Sequence, residues 1–171
     1  MQNSIAENIA TFLKQYEPFN YIEYADLKAI ATNCSILTLQ KSKSLFKIND
    51  ELHESFYIVY SGVVHLTKVL DAEEVLHSKC YSGNLFGLRP FFAKNNYVLN
   101  ATANEDAVLY AIPIAVFKPY LTKYTAVLDY FLENFATQAK PKKENYQQFK
   151  SISEIDTSSS DTNYSYFQDL Q

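Results

Sequence analysis

The run FYIVYSGVVHLTKVLDAEEVLHSKC, from Phe56 to Cys80, decides the fold. It divides into segments 56–60, 63–70 and 74–80, each rich in β-branched and aromatic residues and each bounded by small or acidic ones. Each segment is predicted to be a strand, with Asp71, Glu73 and Glu74 forming a solvated hairpin tip. The same texture continues outward, at 36–39 and 45–48 on one side and at 98–103 and 107–112 on the other. About seven strands at this spacing argue for a β-sandwich, roll or barrel rather than alternating β/α units. The rhythm lapses between Leu85 and Asn96. There Gly87-Leu-Arg-Pro-Phe-Phe predicts one helical turn, followed by the polar loop Lys94-Asn95-Asn96.

Helices are expected on both flanks of this β region. Ser4-x-x-Glu7 has the spacing of a capping box, and Ile5, Ile9, Phe12 and Leu13 then make one apolar face. Glu17-Pro18 interrupts that helix. A second is predicted over 21–32, with Tyr24, Leu27, Ile30 and Ala31 turned inward. After the last strand, Pro113 suits the first turn of a short helix reaching Phe117, and Pro119 breaks it and opens the next. The following helix, 120 to about 139, carries Leu121, Tyr124, Leu128, Phe131 and Phe135 at alternating spacings of three and four. That is the seam of a two-helix coiled coil, which would make the chain a homodimer. The same stripe also suits packing against the chain's own β domain. Beyond Lys140 the composition turns to Lys, Ser, Thr, Asn and Asp with no periodic apolar face, which reads as a polar linker or tail. The organisation is thus 1–33 N-terminal helices, 34–118 β core, 119–139 C-terminal helix and 140–171 tail.

Composition excludes several classes of function. A net charge of −4 over 171 residues, without a basic stripe, argues against nucleic acid as a partner. No helix-turn-helix pattern follows the long helix, so this chain carries no DNA-binding element. No apolar run approaches a membrane span and no signal peptide is legible, so a cytoplasmic, membrane-free protein is expected. Cys34 and Cys80 lack CxxC spacing and suit buried thiols in a reducing compartment. His53, His65 and His77 form neither His-x-His nor His-Glu-x-x-His, and surface or core histidines explain them better than a metal site. There is no phosphate loop of the Gly-x4-Gly-Lys type, no Gly-x-Ser-x-Gly elbow and no acid–base pair, so an enzyme is not expected.

One region does concentrate binding chemistry. All three glycines, Gly62, Gly83 and Gly87, and the one arginine, Arg89, fall between Ser61 and Pro90. Glycine permits positive φ and close approach to a ligand, and arginine forks onto phosphate or carboxylate. The same glycines also serve plain turns.

The order of features resembles the cyclic nucleotide-binding domain family, the β-roll module of catabolite-activator-type regulators, cyclic nucleotide-dependent kinases and gated channels. The stretches that carry the resemblance lie within 9–138. They are Phe12-Leu-x4-Pro-Phe19, Leu45-Phe46, Phe56-Tyr-Ile-Val-x-Ser-Gly62, Gly83-Asn-Leu-Phe-Gly87 and Leu109-x-x-Ile-Pro113-x3-Phe117. The wording from Phe86-Gly-Leu-Arg-Pro-Phe through Tyr97 to Leu109-Tyr-x-Ile-Pro113 is similar to a bacterial branch in which this domain precedes CBS domains and a nucleotidyltransferase. The resemblance implies a mainly β fold, a jelly-roll-like β-roll with N-terminal helices and a C-terminal helix. It also implies a regulatory role in signal transduction, with no cofactor other than a cyclic nucleotide or other anionic ligand.

In the family, a short helix after the Phe-Gly turn presents backbone N–H groups to the cyclic phosphate, a glutamate just beyond that glycine binds the ribose, and an arginine opening the next strand pairs with the phosphate. Here Leu88 stands at the glutamate's place. The arginine's place falls near Tyr97, with Asn100 and Thr102 the nearest polar groups. Ser42 and Asn49 stand at two turn positions that the family fills with glycine. Losing two charge-assisted contacts worth about 1.5–3 kcal/mol each removes roughly two to four decades of affinity, so tight cyclic AMP binding is not expected. The candidate ligand residues are Phe86, Gly87, Leu88, Arg89, Pro90, Tyr97, Asn100 and Thr102. Arg89 either replaces the missing charge for a different anionic, nucleotide-like ligand or points outward beside an emptied, refilled pocket. The first reading makes the chain a sensor. The second makes it a ligand-free scaffold holding a neighbouring CBS or nucleotidyltransferase domain.

Overall fold

The computed structural model describes residues 2–139, and the tail expected over 140–171 lies outside them. Two helices, α1 (Gln2–Leu13) and α2 (Tyr24–Thr32), flank a short 3-10 turn at Phe19–Tyr21. Eight strands follow: β1 (Ser35–Leu39), β2 (Ser44–Phe46), β3 (Ser55–Ser61), β4 (Val64–Leu70), β5 (Glu73–Cys80), β6 (Leu85–Phe86), β7 (Asn100–Ala103) and β8 (Ala107–Pro113). A single-turn helix, α3 (Arg89–Ala93), interrupts them, and α4 (Ile114–Lys123) and α5 (Thr125–Ala139) close the described chain. The strands form two four-stranded antiparallel sheets, ordered β1-β8-β3-β6 and β2-β7-β4-β5. This is the mainly β, helix-flanked roll that the sequence implies.

The unbroken apolar run Phe56-Tyr-Ile-Val59 is explained by its place at the centre. Successive strand residues point to opposite faces, and β3 is covered on both. Phe56 and Ile58 join Tyr110 and Ile112 in a core that also holds Ile9, Leu13, Leu27, Ile30 and Phe117 from the helices. Tyr57 and Val59 join Leu109 and Ala111 in a second core between the sheets, with Phe46, Leu66, Phe86 and Tyr97. Burying each such side chain contributes about 1.5–3 kcal/mol, so one strand ties the helices to the roll.

Several boundaries differ from the sequence reading. Ser4 and Glu7 do not cap α1, which begins before them. Glu7 instead pairs with Lys28 of α2 at 2.7 Å. The buried face of α1 is Ala6, Ile9, Ala10 and Leu13, a quarter-turn away from Ile5, which is 48% exposed. Tyr24 is exposed at the start of α2, whereas Leu27, Ile30 and Ala31 are buried as expected. Strand β6 went unread because two residues carry no periodicity, and its pairing with Tyr57 and Ile58 of β3 alone defines it.

The helix break falls at Tyr124 rather than at Pro119, which lies inside α4. A proline here frees the carbonyl of Ala115 four residues earlier. Both residues are exposed, so water can take that carbonyl. The real break is held from α2. The Tyr124 hydroxyl donates to Asp26 at 2.5 Å and accepts the Glu23 N–H at 3.3 Å, and Lys123 pairs with Asp26 at 2.6 Å.

This break also corrects the coiled-coil seam. Leu121 and Tyr124 do not share one straight helix with Leu128, Phe131 and Phe135. Leu121 and Phe131 are buried in the helix-side core, with Tyr124 and Phe135 packed against it, so four of the five stripe residues face the chain's own domain. Ser42 and Asn49, at the turns where glycine was expected, adopt φ of 69° and 71°. The missing glycines were therefore read at the right positions.

Candidate functional site

The lapse in strand rhythm after Leu85 builds one wall of a cavity of about 360 Å³. Phe86, Gly87, Leu88, Arg89 and Pro90 form that wall, the Phe46, Leu66 and Tyr97 side chains of the roll lie below, and His77, Ser78, Lys79 and Cys80 come from β5. Tyr130, Phe131, Asn134 and Phe135 of α5 close the opposite side.

Six of the eight candidate residues are thus brought together, and Asn100 and Thr102 are not. Strand parity decides it. In β7 the small residues Ala101 and Ala103 point into the core, which turns Asn100 and Thr102 to the outer face. There Thr102 shares a hydrogen bond with Ser44 at 3.0 Å, while Asn100 accepts the Ile48 N–H and donates to Glu74. The alternation of small apolar and polar residues in Asn100-Ala-Thr-Ala103 is the signal that locates them correctly.

The two positions that the resemblance assigns to nucleotide reading, Leu88 and Tyr97, are both spent on packing. Leu88 is 5% exposed and belongs to the helix-side core. Tyr97 is buried, stacks on Phe46, and its hydroxyl accepts the His53 N–H at 3.2 Å. Burial holds that phenol above its usual range, so it remains a neutral group. The short helix is also poorly equipped for phosphate. Pro90 removes one of its leading N–H groups, and the Phe91 N–H is taken by the Leu88 carbonyl at 3.1 Å.

What the cavity retains is positive charge beside aromatic surface. Arg89 is partly buried, and burial pulls its guanidinium below its ordinary pKa. It lies 5.4 Å from the centre of the Phe135 ring and donates to the Phe135 carbonyl at 3.4 Å. His77 is held below its usual pKa chiefly by desolvation, then by the charges of Lys68 and Arg89, so it favours the neutral form. Burial raises the Cys80 thiol to about 12, which makes it an inert lining group rather than a nucleophile.

Sequence reasoning missed the β5 residues and the cavity-closing face of α5. The stripe of α5 was visible, but nothing local tells a helix face that closes a cavity from one that meets a second chain. Among the described residues no group of histidine, cysteine or carboxylate side chains is placed to hold a metal ion. No helix among them is long and apolar enough to cross a membrane.

Comparison with known proteins places the fold. A family model described as the cyclic nucleotide-binding domain matches residues 36–124. No curated protein sequence matches the chain. Among solved structures, the fold is similar to that of the regulatory domain of Toxoplasma gondii PKA with cAMP, at TM-score 0.67 and 16% identity over 77% of this chain and 51% of that one. It is similar to the sensor domain of the transcriptional regulator DNR from Pseudomonas aeruginosa, at TM-score 0.65 and 19% identity over 75% and 91%. It is also similar to the regulatory subunit of a cAMP-independent protein kinase A from Trypanosoma cruzi bound to guanosine, at TM-score 0.70 and 19% identity over 90% and 53%. The chain thus spans about half the length of both kinase regulatory chains.

Proposed function

The chain belongs to the cyclic nucleotide-binding domain family, and from that premise we propose that it is a regulatory sensor module whose α3–α5 cavity binds a small anionic or nucleotide-like ligand, without tight affinity for cyclic AMP. Domains of this family regulate rather than catalyse. The observation that carries the reading is the combination of a retained cavity, lined by Arg89, with the loss of both nucleotide-reading side chains to Leu88 and Tyr97. Arg89 contacts α5 directly, so a ligand that engages its guanidinium changes what holds that helix. The Trypanosoma cruzi relative, cAMP-independent by name and bound to guanosine, supports a changed ligand on the same fold.

The test is a thermal-shift titration of the chain with cyclic AMP, cyclic GMP, guanosine, cyclic dinucleotides and adenine nucleotides. A ligand at one hundred times its dissociation constant adds about 2.7 kcal/mol of stability. A saturable shift from any of them other than cyclic AMP supports the sensor.

A second reading is a ligand-free scaffold in a larger cytoplasmic protein, holding CBS or nucleotidyltransferase domains. The contact of Arg89 with Phe135 favours it, because it already seats α5 on the cavity wall. A panel with no shift at any concentration supports the scaffold.

A further inference from the structure

We propose that the groove between α1 and the outer face of the β1-β8-β3 sheet docks a proline-rich segment of a partner protein in the polyproline II conformation, with the segment's carbonyl oxygens taken by the Tyr110 and Tyr60 hydroxyls. This groove shares no lining residue with the α3–α5 cavity, so the proposal stands apart from the question of that cavity's ligand.

Strand parity makes the groove. Ile36 of β1, Val108 and Tyr110 of β8 and Tyr60 of β3 turn to the outer face of their sheet, and the helices bury only part of that face. Ile5 and Phe12 of α1 stand along the facing wall, and the groove between the two has a volume of about 460 Å³. Ile5, Ile36 and Tyr60 are half exposed in it. Its polar lining comes from Asn8, Thr11, Gln15 and the two tyrosines, and no charged side chain is among the described lining residues. A charged segment would lose hydration there without gaining a partner, so the groove selects an uncharged one.

Tyr110 sets the chemistry of the occupant. It lines the groove, is only 6% exposed, and its hydroxyl has no hydrogen-bond partner among the described residues. Buried polar groups are nearly always paired, so this hydroxyl marks a place for an incoming acceptor. Burial, then the neighbouring Tyr60 and Cys34, raises the phenol to about 12, which keeps its proton available to donate. A hydrocarbon chain offers no acceptor there. A docked helix spends its carbonyls internally, and an added strand needs a sheet edge, whereas this groove lies on a face. Polyproline II has no internal hydrogen bonds, so its carbonyls stay free. Proline also brings no N–H in need of a partner. Aromatic walls suit its rings, and Phe12, Tyr60 and Tyr110 form one cluster with centroids 5.1 to 5.5 Å apart. From Ile5 to Phe12 the helix rises about 10 Å, close to one three-residue turn of polyproline II at about 9 Å.

The experiment titrates the isotope-labelled full chain with acetyl-hexaproline amide, with an acetylated Gly-Ser hexapeptide amide and with n-decanol, read by amide NMR. The expected result is saturable shifts from hexaproline at residues 5–12, 36, 60 and 108–110, with affinity at least tenfold above that of the Gly-Ser peptide. Ile36→Lys, at an exposed position, should weaken hexaproline at least tenfold. Tyr110→Phe should weaken it at least threefold and leave Tm unchanged or raised, because the hydroxyl it removes bonds nothing in the free chain. Equal binding of the two peptides to the wild type overturns the proposal, and this comparison needs no variant to fold. Silence of hexaproline, or shifts from it confined to other residues, overturns it as well. Decanol binding in the groove with hexaproline silent assigns the groove to hydrocarbon chains instead. A lowered Tm for Tyr110→Phe, or undiminished hexaproline binding to it, overturns the role given to the hydroxyl.

Discussion

The ring of Tyr97 lies flat on that of Phe46, with centroids 3.7 Å apart and planes 4° from parallel. This stack lines the cavity that α3 and α5 enclose. His53 adds its backbone N–H to the Tyr97 hydroxyl, so the phenol is anchored at both ends.

Removing that anchor should cost stability before it affects any ligand. Tyr97→Ala is expected to lose about 3–5 kcal/mol, in the range of large aromatic truncations in a core. Tyr97→Phe should lose about 1 kcal/mol with the hydroxyl contact. Tyr97→Arg should destabilise the fold by burying a charge rather than create a cyclic phosphate site. Urea denaturation of the three variants measures the order.

Gly62 is the glycine that the fold cannot exchange. Its φ is +82°, and a Cβ there would stand 2.3 Å from the Asp106 carbonyl oxygen and 2.7 Å from the Ala107 Cα. Both obstacles are backbone and cannot rotate away. Gly62→Ala should therefore cost about 2 kcal/mol or more, read as a lowered denaturation midpoint with an unchanged slope.

Ser42 presents the opposite case. It holds φ of 69° without being glycine, a conformation that costs an L-residue roughly 1–2 kcal/mol. Ser42→Gly relieves that strain and loses some of the gain to the unfolded chain's entropy. A net increase of up to about 1 kcal/mol is expected, measured as a rise in Tm.

Acid sensitivity should trace partly to the α4–α5 break. Hydrogen bonds from Lys123, then from Tyr124, hold the Asp26 carboxyl below its ordinary value. A carboxyl lowered in the folded state stabilises the fold above its unfolded pKa, about 3.9, and the contribution disappears as pH falls through the lower folded value. Asp26→Asn should be less stable than wild type at neutral pH, and the gap should close as pH falls below about 4. Melting curves from pH 7 to pH 2 follow the convergence.

Most of the roll was legible because strands with one or two buried faces announce themselves. Phe56-Tyr-Ile-Val59 was legible as a strand, though only the helices on one face and the second sheet on the other show it covered twice, and the positive φ of Ser42 and Asn49 followed from alignment with turn glycines. Cavity membership was less legible. Leu88, Arg89 and Tyr97 were found because they stand at positions that carry chemistry in the family. Asn100 and Thr102 were misplaced because nearness in sequence was weighed above strand parity. The β5 residues and the closing face of α5 come from distant parts of the chain, and only the pairing of β4 with β5 and the break at Tyr124 bring them to Arg89.

The most direct test of the sensor reading is an amide NMR titration of the isotope-labelled chain with guanosine, cyclic AMP and cyclic GMP. The account expects saturable shifts from at least one ligand, concentrated at residues 77–90 and 130–135, with cyclic AMP not the tightest binder. Absence of saturable shifts from all three, or shifts confined to residues away from Arg89 and α5, would contradict it.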